Sequence, residues 1–216
     1  MPSEQFWNLP PEKRSEIIQA CLAEFAEYGY DAASTNRMVE RAGISKGVLF
    51  KYFKDKENLF HYVCHETIQF WLDELRIPDT ESYSDLFALL KKVAIRKIEM
   101  SKRYPAAYRL LLRITQNPEH PVYAKIVHTF DDITQKYMAD VTRLLPQDKL
   151  RPGVDWSQAI TLVLWISEGI QDKYLGTAPE TTDGESFDAF CAQLLEEMDQ
   201  YFAILKHGIY REEQEP

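Results

Sequence analysis

The run AGISKGVLFKYFKDKENLF, Ala42 to Phe60, places four lysines and four aromatic rings within 19 residues. Lysine ammonium groups neutralise phosphates, and a tyrosine hydroxyl can donate to them. A glycine lets backbone approach a surface closely, and an exposed helix N-terminus offers free N–H groups to an anion. The chemistry on offer is recognition rather than bond-making. The chain around this run is acidic, with a formal net charge of -9. Residues 34–60 hold 6 basic against 3 acidic side chains, whereas residues 61–216 hold 17 against 25. The positive field is confined to one short segment.

Helices must position that segment, because the apolar residues recur with helical spacing almost throughout. Pro10 and Pro11 suit a helix start, Ile17, Ile18, Cys21, Leu22 and Phe25 form its apolar stripe, and Gly29 should stop it. Ser34 or Thr35 caps a short helix that ends at Gly43. Ser45 caps a third helix, Lys46 to about Phe53, and Asp55 a fourth that runs until Pro78 forbids continuation. Five further amphipathic stretches follow: 86–104, 106–116, 122–145, 155–175 and 186–206. The expected fold class is all-α, with about nine helices. Residues 1–54 read as a helix-turn-helix domain and 55–216 as a larger helical domain for effector binding and dimerisation.

The three-residue turn Gly43-Ile44-Ser45 has the length that sets two helices across each other in a helix-turn-helix. Met38, Val39, Ile44, Leu49 and Phe53 face inward on this reading. Lys46, Gly47, Val48, Phe50, Lys51 and Tyr52 are left on or beside the outer surface of the third helix, the arrangement by which a recognition helix meets the DNA major groove.

At these residues the sequence resembles the TetR family of bacterial transcriptional regulators. The match runs without a gap from Ile17 to Phe60, with FAEYGYDAAST, ERAGISKGVLFKYF and DKENLF as its most specific parts. The resemblance implies a homodimeric repressor whose C-terminal domain binds a small effector and releases a pseudo-palindromic DNA operator. By position it implies that Thr35, with its neighbour Asn36, contacts DNA at the start of the second helix. Ser45, Lys46, Gly47 and Val48 then enter the groove, Phe50, Lys51 and Tyr52 meet bases and backbone, and Lys56 binds a phosphate. Phe50 stands where the family often has tyrosine. The alternative reading is a helical small-molecule-binding or protein-interaction module with little sequence-specific DNA binding.

Two late segments, VDWSQAITLVLWISEGIQDKYL and SFDAFCAQLLEEMDQYFAILKHGIY, are apolar around most of their circumference. Such helices are buried centrally or between subunits, so they are the expected homodimer interface, as the resemblance also implies. Trp71, Tyr104, Tyr108, Phe130, Tyr137 and Trp165 are candidate pocket-lining rings. Glu168, one turn after Trp165, is a candidate partner for a cationic ligand.

No catalytic constellation is present, and an enzyme is not expected. His61 and His65 lie four apart, but no third ligand stands at fixed spacing, so no metal or other cofactor is expected. Three dispersed cysteines (Cys21, Cys64 and Cys191) fit a reducing, cytoplasmic setting. The longest apolar run, Ala159 to Ile166, is too short to span a membrane.

Overall fold

Glycine, proline and capping residues set the ends of the helices among the described residues. The structure is a computed structural model that describes residues 2–76, 85–127 and 150–208. Nine named helices lie within them: α1 (Glu4–Trp7), α2 (Pro11–Ala32), α3 (Thr35–Ala42), α4 (Lys46–Phe53), α5 (Lys56–Leu75), α6 (Leu86–Arg103), α7 (Pro105–Gln116), α8 (Trp156–Leu175) and α9 (Glu185–His207). Residues 121–127 are helical as well, and no strand occurs among the described residues. The all-α expectation holds, and no helix among them is long and apolar enough to cross a membrane.

The first compact unit comprises Met1–Arg76 and Arg103–Gln135. Its core is continuous from α1 to the 121–127 helix: Phe6, Ile17, Phe25, Met38, Leu49, Phe53, Leu59, Phe60, Leu110, Ile114 and Tyr123 are all buried in it. The second unit comprises Ile77–Lys102 and Lys136–Pro216. There, Leu86, Leu89, Leu90 and Val93 of α6 pack with Val163, Ile170 and Tyr174 of α8 and with Met198 and Phe202 of α9. Packing therefore does not divide the chain at 54/55. Helix α5, helix α7 and the 121–127 helix join the N-terminal helices in one core.

Two local details depart from the sequence reading. Helix α1 was not anticipated, yet its Phe6 is buried among Tyr52, Phe53 and Tyr62. Gly29 does break α2, with φ 69° and ψ -179°, but the helix resumes and reaches Ala32. A non-glycine residue rarely adopts that conformation.

Candidate nucleic-acid interface

Caps and turns at both ends set α4 between α3 and α5. Gly43 closes α3 in the left-handed conformation, φ 63° and ψ 36°, and the Lys13 ammonium donates to the Ala42 carbonyl at 2.9 Å. Ser45 caps α4, its hydroxyl accepting the Val48 N–H at 3.3 Å. Lys54 ends α4 with φ 65° and ψ -56° while Asp55 N–H donates to the Phe53 carbonyl at 2.7 Å, a strained three-residue turn into α5. Asp55 then caps α5 by accepting the Asn58 N–H at 2.7 Å.

Against this frame, α4 divides by face. Leu49 and Phe53 are buried, Val39 and Ile44 pack beside them, and Lys46, Gly47 and Lys51 are exposed. Val48 and Phe50 are half-buried. Tyr52 is also half-buried, its ring edge-on to Phe6 at 5.7 Å, while its carbonyl accepts the Ser3 N–H at 2.9 Å. Helix α1 thus straps the C-terminal end of α4 to the core. A Cβ at Gly47 would meet only the Ser45 hydroxyl, at 3.9 Å, so the fold itself does not require glycine there. On α3, Thr35 is half-buried at the first helical position and Asn36 is exposed.

Lys56 is more committed than its sequence position indicates. Its ammonium donates to the Asp31 carbonyl at 3.1 Å and stands 5.0 Å from the centre of the Tyr30 ring. Burial pulls its pKa down, against the opposing charges of Asp31 and Glu24.

Sequence reasoning also missed Glu24, which no motif or spacing singled out. It is fully buried and holds the α2–α3 junction: one carboxylate oxygen accepts the Ser34 N–H and the Arg37 Nε–H, each at 2.8 Å. Burial acts to raise its pKa, but the bonds from Arg37 and Ser34 outweigh it and hold the carboxyl below the usual glutamate range. The Ser34 side chain, an expected cap for α3, makes no capping bond. The only available signal was Arg37, 13 positions later, and no local spacing rule links the two.

The candidate pocket residues that the structure describes fall in both compact units. Trp71 is buried on α5, and Tyr104 packs edge-on against Phe70 at 4.8 Å at the start of α7, one turn before the half-buried Tyr108. These three belong to the first compact unit. Trp165 and Glu168 are in the second unit, both exposed, with Trp165 at 67%. Phe130 and Tyr137 lie outside the described residues.

Residues 17–63 match the family described as bacterial regulatory proteins, tetR family. These 47 residues are similar to the N-terminal domain of that family. Among curated relatives, the HTH-type transcriptional regulator RutR of Escherichia coli K12 is 33% identical over 98 residues, 45% of each chain. The chain therefore matches less than half the length of this relative. Among solved structures, a TetR-family transcriptional regulator from Chloroflexus aurantiacus is 25% identical, with 98% of this chain and 99% of that one covered and a TM-score of 0.53. The transcriptional regulator FadR of Bacillus subtilis, solved with stearoyl-CoA, is 18% identical over 91% of this chain and 99% of its own, with a TM-score of 0.63. The latter likeness extends the shared fold well beyond residues 17–63.

Proposed function

We propose that this protein is a homodimeric transcriptional repressor that binds a pseudo-palindromic operator and leaves it when a small-molecule effector binds the larger helical region. The observation that carries this reading is the exposed edge of α4. Lys46, Gly47 and Lys51 project from a helix that buried Leu49 and Phe53 hold rigidly. Thr35, Asn36, Ser45, Val48, Phe50 and Tyr52 flank this edge as further DNA contacts, and Lys56 retains two ammonium donors for a phosphate.

One such helix binds weakly, so two must act together on half-sites spaced by about one helical turn, ~34–36 Å, or a multiple of it. The last two helices supply a means of pairing. Leu162 and Trp165 are exposed three residues apart on α8, as are Tyr201 and Ile204 on α9. Exposed apolar pairs on long helices mark an association surface. The stearoyl-CoA bound to the FadR neighbour supports a small-molecule effector for this fold. Release then requires the effector to bind the non-DNA-binding arrangement more tightly than the DNA-binding one.

Footprinting on the DNA flanking the coding sequence tests the proposal. A protected, two-fold-related site whose affinity falls steeply with salt is expected. Absence of any protected site, with the dimer intact, would overturn the repressor reading and leave a helical ligand-binding or protein-interaction module.

A further inference from the structure

Helix α6 buries Leu86, Leu89, Leu90, Val93, Met100 and Ser101. Projected at about 100° per residue, Lys97 falls inside the arc that these six residues span. It stands one turn from Val93 and Ala94 on one side and from Met100 and Ser101 on the other. An apolar residue belongs at such a position, and an unpaired lysine is rarely found there.

The surrounding charges do not satisfy it. Lys91 donates to Asp199 and Lys102 pairs with Asp188, both on α9. Lys92 and Arg96 are engaged too. The Ser101 hydroxyl donates to the Lys97 backbone carbonyl at 2.8 Å. Among the described residues no hydrogen bond or ion pair engages the Lys97 ammonium. Burial alone moves its pKa, downward, with no carboxylate offsetting it. Yet the residue is half-buried, not sealed, and its nitrogen is not among the fully enclosed polar atoms that lack partners. The ammonium has no partner among the described residues and is open to water and to a solute anion alike.

We infer that Lys97 is the anion-binding residue of the effector site, and that its ligand is a monoanionic amphiphile, a carboxylate carrying an apolar body. One unpaired ammonium matches one negative charge, and the half-buried Ala94 one turn away gives the apolar body a neighbour of its own kind. The assignment rests on the effector-responsive reading above and gives the effector a chemical class.

The test uses the full-length protein, with sodium dodecanoate below its micelle-forming concentration as probe and dodecan-1-ol as its uncharged counterpart. Calorimetric titration should show wild type binding dodecanoate at least ~10-fold more tightly than the alcohol. Lys97→Met, which keeps the side-chain volume, should lose that preference and bind dodecanoate at least ~10-fold more weakly, with alcohol binding retained. Lys97→Arg should restore the preference. The same titration of Lys97→Gln decides the matter if the methionine variant does not fold by circular dichroism. The inference is overturned if Lys97→Met or Lys97→Gln binds dodecanoate as tightly as wild type. It is equally overturned if wild type binds neither probe or does not distinguish them. Footprinting of the same preparations without probe keeps the two readings apart, since loss of operator binding in wild type sinks the repressor reading whereas the calorimetric preference concerns Lys97 alone.

Discussion

The Tyr123 hydroxyl accepts the Tyr30 backbone N–H at 2.9 Å, across 93 residues of sequence. In an unbroken helix that N–H would bond to the Ala26 carbonyl. Gly29 diverts the backbone, and the Ala26 carbonyl instead accepts the Arg113 Nε–H at 2.8 Å, while Glu27 accepts a second Arg113 bond at 3.1 Å. The kink in α2 is therefore completed by side chains from α7 and the 121–127 helix. Tyr123→Phe removes the acceptor of the Tyr30 N–H and should cost about 1–3 kcal/mol. Gly29→Ala should cost a similar ~1–3 kcal/mol, because alanine is strained at φ 69° and its Cβ would lie 3.2 Å from the Tyr123 hydroxyl. Chemical unfolding checks both. Wild-type stability in Gly29→Ala would show that the kink relaxes freely.

The recognition surface makes a prediction in which stability and binding move in opposite directions. Gly47 has space for a methyl group, so Gly47→Ala should leave the fold intact or stabilise it by about 0.4–1 kcal/mol. If α4 lies against a groove at that point, the same substitution should weaken operator binding at least ~10-fold. Lys46→Ala should weaken binding too, with the salt dependence flattened by about one phosphate contact. Tyr52 is better probed with phenylalanine than alanine, because its ring supports Phe6. Mobility-shift titrations at several salt concentrations measure all three, and unchanged affinity in Gly47→Ala would remove α4 from the groove.

Features encoded by neighbouring residues were legible in the sequence. Gly43, Ser45 and Asp55 announce the ends of α3, α4 and α5 through caps three or four residues long, and the Leu49/Phe53 stripe fixes which edge of α4 is buried. What was not legible depends on contacts between distant positions. Nothing in EQFW shows that Phe6 closes over Tyr52, and nothing near Glu24 shows that Arg37 will meet it. Lys97 is a case where the pattern held the information: an i, i+3, i+4 stripe interrupted by a lysine is visible in the sequence. Its meaning emerged only once the neighbouring lysines were seen to be paired.

Glu24 makes the acid limb of stability testable. Its folded-state pKa lies below the ordinary value, so its contribution is fully present above the ordinary glutamate pKa of about 4.3 and is lost as pH falls through the folded one. Glu24→Gln should cost about 2 kcal/mol at pH 7, below the range for fully buried pairs because Arg37 is half exposed and can regain water. The gap between wild type and variant should narrow as pH is lowered below about 4. Urea unfolding at stepped pH measures it, and a gap that stays constant to pH 3 would assign the effect to packing.

Pairing through the last two helices predicts a variant that separates folding from function. Trp165 is 67% exposed and Leu162 48%, so neither contributes much to the core of its own subunit. Replacing both with glutamate should leave helical content and the Val163/Ile170 packing unchanged. Across a two-fold axis the same change places like charges opposite one another in an apolar contact, and desolvation adds to their repulsion. Sedimentation at micromolar concentration should show monomer for the double variant and dimer for wild type. Operator affinity should fall by orders of magnitude even though α4 is untouched, since each monomer then binds a single half-site. A double variant that remains dimeric would move the interface away from α8. A wild type that is monomeric under the same conditions would leave the two recognition helices with no means of acting together.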